Sequence, residues 1–201
     1  MIRRHFLATA AALGLAALPP ARAQGVDAAG VHFESSLQLA GSRLQLNGAG
    51  VRYKAIFKVY AAGLYLGARA TSTEAVLAST GPRRLHVVML REIDANELGK
   101  LFTKGIEQNS TREEFVRIIP GTIRMGEIFS TRKKLAVGES FSIDWIPGTG
   151  TVVLVNGKPV GEPIREAEFY GALLKIWLGK SPADHQLKAA LLGHSREANN
   201  G

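Results

Sequence analysis

Apolar and polar positions alternate along the stretch 51–66. Val51, Tyr53, Ala55, Phe57, Val59, Ala61, Gly63 and Tyr65 fall on one side of an extended chain. Arg52, Lys54, Ile56, Lys58, Tyr60, Ala62, Leu64 and Leu66 fall on the other. The run is rich in aromatic and β-branched residues, which predicts one long strand central to a sheet. Shorter runs flank it. Segments 31–40 and 43–46 read as a hairpin about Gly41-Ser42, and 85–90 as a buried strand. Segments 139–146 and 151–155 face each other across Pro147-Gly148, and Asn156-Gly157 turns tightly into 158–160.

The period changes to that of a helix elsewhere. Thr71-Ser72-Thr73-Glu74 is a capping-box pattern that opens a short helix through 78, and Asp94-Ala95-Asn96-Glu97 opens another to about 109. Segments 111–119 and 122–129 are helical, with Pro120-Gly121 expected to separate them. Segment 165–178 is apolar on nearly every side, which predicts a buried helix ending at Gly179 in a left-handed stop. A shorter helix covers 184–192. Strands, then helices, then strands and helices again predict an α+β fold, with helices packed over an antiparallel sheet. Within it, Ala61, Gly63 and Gly67 are expected to let the C-terminal helix or a neighbouring strand approach the long strand closely.

The N-terminus changes the compartment. Arg3-Arg4, an apolar run over 6–18 and Ala21-Arg22-Ala23 before Gln24 read as an export leader over 1–23. The run is too short and too alanine-rich for a membrane span. Its R-R-x-F-L opening resembles a twin-arginine signal; Ile2 stands where Ser or Thr is usual, and Sec export is the rival. Residues 24–201 are therefore expected to form a single periplasmic or secreted domain. The leader holds three of the 25 basic residues and none of the 17 acidic ones, so the formal charge falls from +8 to +5 without it. With no cysteine, the chain has no disulfide, thiolate metal site or cysteine nucleophile. Arg83-Arg84 and Arg132-Lys133-Lys134 lack interleaved aromatics and read as solvated faces, so no nucleic-acid partner is expected.

Several chemistries fail on spacing. Gly48-Ala49-Gly50 precedes a strand, and Tyr53 stands where a dinucleotide loop needs its third glycine. His32, His86, His185 and His194 are scattered, and no metal or cofactor is expected; His86 reads as a packed or hydrogen-bonded strand residue. Ser140 and Ser142 lack a nucleophile-elbow context. Glu113-Glu114 fit a first helical turn without catalysis. What remains is a cation and a phenol, Arg52 and Tyr60, on one strand face with apolar residues beyond. That set suits an amphipathic anion such as a carboxylate with an apolar tail. On a straight strand, eight residues at ~3.3 Å each would hold the two about 26 Å apart. Shared recognition therefore requires a reversal around 53–55. On the helix from Asp94, Leu98, Leu101, Phe102, Gly105 and Ile106 form one apolar stripe.

Gly48-Ala49-Gly50-Val51-Arg52 with Lys58-Val59-Tyr60-Ala61-Ala62-Gly63-Leu64-Tyr65-Leu66 resembles the signature strand region of the chalcone isomerase family, closest to its bacterial chalcone isomerase-like branch. Leu173-Leu174-Lys175-Ile176-Trp177-Leu178-Gly179, Leu187-Lys188 and Leu191-Leu192-Gly193 fit that branch too. The resemblance implies a chalcone isomerase-like fold over the mature chain. In the plant enzymes the corresponding helix lends tyrosine, lysine and asparagine to the substrate cleft; those positions fall near Leu98, Leu101 and Gly105 here. The arginine survives as Arg52, Tyr60 replaces the strand threonine, and 158–169 contains no serine or threonine for the last hydroxyl position. The resemblance therefore implies the non-catalytic, fatty-acid-binding type, with no catalytic residue assigned. Its ligand site would comprise Arg52, Tyr60, Leu98, Leu101, Phe102 and Gly105. Two other readings stay open: an isomerase or intramolecular lyase acting on an enone or flavonoid-like compound, and an envelope interaction protein with a vestigial cleft.

Overall fold

The computed structural model describes residues 25–194. The expected export leader over 1–23 lies outside them. Strands β1 (Val26–Ala28) and β2 (Val31–Phe33) form a short ribbon. Then come β3 (Ser36–Leu39), β4 (Ser42–Lys54) and β5 (Phe57–Leu66). Helix α1 (Thr73–Ala78) leads into β6 (Arg83–Met89) and the two-residue β7 (Ile93–Asp94). Helices α2 (Ala95–Gln108) and α3 (Arg112–Ser130) precede β8 (Lys134–Leu135), β9 (Ser140–Ile146), β10 (Gly150–Val155) and β11 (Lys158–Pro159). Helices α4 (Ala167–Leu178) and α5 (His185–Leu191) finish the described chain. The main sheet is antiparallel and seven-stranded, in the order β11-β10-β9-β6-β5-β4-β3. The α+β expectation holds.

Alternation gives the sheet two apolar faces. Tyr60, Ala62, Leu64 and Leu66 of β5 join Leu85 and Val87 of β6 beneath the helices. Ala61 and Tyr65 join Leu44, Leu46 and Phe33 on the opposite face, which the β1–β2 ribbon covers. Gly63 lies under that ribbon: a Cβ there would stand 2.5 Å from a Phe33 ring carbon. The expected close approach is therefore real, although Phe33 makes it. Gly67 has open space around it and serves no such purpose. The C-terminal helix comes close elsewhere, at Gly48 and Gly50, where a Cβ would run into Ala190 of α5. Gly63→Val is expected to destabilise by ~1–3 kcal/mol through overpacking. The urea midpoint measures this, and an unchanged midpoint would contradict the contact with Phe33.

Several local expectations are corrected. The long strand is two strands: it reverses at Ala55-Ile56, with Ala55 at φ 53. No glycine or proline marks the turn, because an alanine adopts the left-handed conformation. Helix α3 is continuous through Pro120. Proline removes the bond to the carbonyl four residues earlier, here that of Val116, a residue on the exposed side of the helix. The cap of α1 is Ser72, which accepts from the Ala75 N–H at 3.1 Å, rather than Thr71. Gly179 ends α4 at φ −72, outside the left-handed region. A side chain there would collide with Asn109 and the Lys175 carbonyl, which is the reason for glycine.

Arg83-Arg84 is no solvated face. Arg83 is buried, donates from Nη1 to the Val76 and Leu77 carbonyls at 3.1 and 3.4 Å, and lies over the Tyr170 ring at 5.0 Å. Arg84 grips buried Asp144 through two bonds, at 2.7 and 2.6 Å. The second basic run holds ion pairs from Arg132 to Glu139 and from Lys134 to Glu92. His86 bonds Ser142 at 2.8 Å, as expected of a packed strand residue; burial first, and then Arg84, lowers its pKa to about 4.

Candidate functional site

The β4–β5 hairpin builds the site through two irregularities, one at Asn47 and one between Arg52 and Tyr53 that leaves Val59 unpaired and sets Arg52 opposite Tyr60. Leu46 pairs with Tyr65 and Gly48 with Leu64, which leaves Asn47 as a bulge residue. A bulge inserts one residue and inverts the alternation beyond it. Before it, even-numbered Leu44 and Leu46 face the ribbon; after it, odd-numbered Ala49 and Val51 do. Arg52 thereby turns to the helix-covered face, directly opposite Tyr60 in register. The reversal that shared recognition requires is present, and the Arg52 guanidinium carbon lies 5.6 Å from the Tyr60 ring centroid.

Asn47 is held in place by its own bonds. Its side chain donates to the carbonyls of Ala70 and Leu191 and accepts from the Ala70 N–H, each at 2.8 Å. Asp184 locks the far side: one carboxylate oxygen accepts from the Tyr53 N–H at 2.8 Å, and the other accepts from the Gln186 and Leu187 amides at the start of α5.

Between the hairpin, α2 and the end of α4 lies a cavity of about 280 Å³. All six residues singled out from the sequence line it: Arg52, Tyr60, Leu98, Leu101, Phe102 and Gly105. Asp94 caps α2 as expected, accepting from the Glu97 N–H at 3.0 Å. The helix then turns its apolar stripe inward, with Leu98, Phe102 and Ile106 buried. Gly105 lets α2 approach α4 closely beside the cavity, since a Cβ there would press on Ile176 at 3.1 Å.

Sequence reasoning missed three contributors. Trp177 donates from Nε1 to the Tyr60 hydroxyl at 2.8 Å and packs edge-on against Phe102. A tryptophan in a helix apolar all round needs an acceptor for its one N–H, and that signal was available. Lys104, exposed on α2, adds a second cation to the lining, and Ala183 offers Arg52 Nε a long 3.5 Å contact to its carbonyl. Neither has a local sequence mark.

The electrostatics favour an anion. Arg52 has no ion pair among the described residues, and its terminal nitrogens carry no bond to the protein there. Burial pushes the Tyr60 phenol up to about 12, against the pull of Arg52 and of the Trp177 bond, with Asp184 adding a smaller upward push. The phenol therefore stays neutral at physiological pH. Its oxygen accepts from Trp177 and its O–H remains able to donate. No aspartate, glutamate or histidine lines the cavity. Three hollows are larger: those of about 450 and 730 Å³ border the ribbon and α5, with much of their lining the polar and small residues of β4 at 45–50, and one of about 410 Å³ lies beside α3 with Glu127 and Glu162 in its lining. The Arg52–Tyr60 cavity joins the unpaired Arg52 guanidinium to a floor of Leu98, Leu101, Phe102 and Ile176.

A family model described as chalcone isomerase-like matches residues 25–193. The chain belongs to the chalcone isomerase-like family. Among curated proteins no match was found. The chalcone isomerase-like fold is similar to that of a solved fatty-acid binding protein from Arabidopsis thaliana, with a TM-score of 0.64 and 14% sequence identity. That likeness covers 81% of this chain and 92% of the plant protein. At this identity the likeness is one of fold.

Proposed function

We infer that this protein is a non-catalytic, exported member of the family, of its bacterial branch, that binds a small amphipathic anion of the fatty-acid class. The observation that carries the reading is the pairing of Arg52 with Tyr60 at an apolar cavity, with the guanidinium unmatched by any carboxylate among the described residues. Arginine's planar fork fits both oxygens of a carboxylate, and the neutral phenol supplies a third donor. Leu98, Leu101, Phe102 and Gly105 would then contact the tail. A volume of about 280 Å³ is at the small end of the roughly 300–1,000 Å³ usual for ligand pockets. Short and medium chains are expected to bind better than long ones. The open cavity favours ligand binding over a vestigial cleft.

Arg52→Ala should weaken binding of a medium-chain fatty acid by ~1.5–3 kcal/mol, the scale of a hydrogen bond to a charged group. Displacement of a fluorescent fatty acid measures this, and equal affinity in the two proteins would remove the reading. The enzyme alternative makes a different prediction. Stabilising the oxyanion of a cyclising chalcone needs several placed donors, and at Leu98, Leu101 and Gly105 this helix presents none. The protein should cyclise chalcones no faster than buffer, and an Arg52-dependent rate would establish the enzyme instead.

A further inference from the structure

The β4–β5 hairpin runs past the cavity and projects beyond it. Its tip carries Ile56, 84% exposed, and Phe57, 51% exposed, the former the most exposed large hydrophobic among the described residues. Lys54 and Lys58 flank the pair, and both are exposed. Arg91, just past the end of β6, holds its guanidinium carbon 4.4 Å from the centroid of the Phe57 ring. Its backbone N–H fixes it there by donating to the Val59 carbonyl at 3.2 Å.

No ion pair joins Lys54, Lys58 or Arg91 to an acid among the described residues. Glu92, next to Arg91 in the chain, is held by Lys134 at 2.7 Å. Asp184, which bonds the Tyr53 amide, gives its other oxygen to α5. The tip is thus two exposed apolar side chains, Phe57 with Arg91 over its ring, among three cations without an acidic partner among the described residues. That is the composition of a segment that enters an anionic headgroup layer, apolar groups reaching the acyl boundary while Lys and Arg meet lipid phosphates.

Position supplies the second argument. Arg52 precedes Lys54 by two residues and Tyr60 follows Lys58 by two, so the cavity lies beside the tip. With the tip in a headgroup layer, an amphiphile could pass between bilayer and cavity over a short path. We propose that the β4–β5 tip docks on anionic lipid bilayers, with Ile56 and Phe57 inserted and Lys54, Lys58 and Arg91 on lipid phosphates, and that the cavity exchanges its ligand there. The exchange rests on the carboxylate-binding reading; the docking does not.

The chain has no cysteine, so Ile56→Cys gives a single site for a polarity-sensitive fluorophore. Val116→Cys, on the exposed face of α3, is the control. With vesicles of phosphatidylglycerol and phosphatidylcholine, the probe at 56 should shift to the blue and brighten at least twofold, while the probe at 116 stays unchanged. Pure phosphatidylcholine should produce neither effect. Adding Lys54→Glu with Lys58→Glu should raise the vesicle concentration for half-maximal response at least tenfold. Four results would overturn docking: no response at 56, an equal response at 116, an equal response to phosphatidylcholine, or a response to protein concentration without vesicles, which would mark self-association. Fatty-acid affinity without vesicles is read separately and should be unchanged by the tip substitutions. If it is absent while the probe responds, the carboxylate reading fails and docking stands.

Discussion

Asp144→Ala is expected to lower stability by about 3–4 kcal/mol, near the lower end of the range for breaking a buried ion pair. Asp144 is 1% exposed and stands opposite Arg84 where β6 pairs with β9. Both of its oxygens accept from that guanidinium, and the bond to Asp144 is the main cause that raises the Arg84 pKa. Without the carboxylate, a permanently charged side chain remains between strands with a fifth of its surface in water, at 21% exposure. That residual hydration keeps the cost below the top of the range. Removing both charges together, as Arg84→Leu with Asp144→Leu, should cost markedly less than Asp144→Ala alone, since no charge is left unpaired. Urea unfolding of the single and double variants measures both. A single variant within ~0.5 kcal/mol of wild type would mean that water reaches Arg84 and that the pair contributes little.

Asn47→Ala is expected to cost about 3 kcal/mol, at ~1 kcal/mol for each of three bonds. Asn47 is 4% exposed, so water cannot easily replace its contacts with Ala70 and Leu191. The consequence should also be local. The Leu191 carbonyl belongs to the last turn of α5, and α5 rests on β4 at Gly48 and Gly50. Hydrogen exchange in α5 should therefore quicken more than in α4. Uniform exchange across both helices would contradict a specific tie between the bulge and α5.

Much of the fold was legible because alternation and capping are local signals. Asp94 and Thr111 opened helices where expected, and Asn156-Gly157 made its hairpin with both residues at positive φ. The six residues that share the cavity lining were grouped in the sequence for two separate reasons: equal strand parity for Arg52 and Tyr60, which survives the reversal only because the register slips between Arg52 and Tyr53, and helical spacing for the α2 stripe. What escaped depended on tertiary context. An alanine in the left-handed region at Ala55 has no sequence mark, and neither does a proline tolerated inside α3. Arg83 and Arg84 read as solvent-facing because their partners, Tyr170 and Asp144, are far along the chain. The bulge at Asn47 had the largest effect. It inverts the face of Arg52 relative to Leu44 and Leu46, and the reversal at Ala55-Ile56 then brings Arg52 against Tyr60.

Native mass spectrometry tests the carboxylate-binding account most directly. The protein is mixed with a medium-chain fatty acid or with the alcohol of the same chain length, and Arg52→Ala is run beside it. The expected spectrum shows a one-to-one adduct with the acid, little with the alcohol, and a strongly depleted acid adduct in Arg52→Ala. A wild-type protein that takes up no acid, or an adduct equally abundant without Arg52, would contradict it.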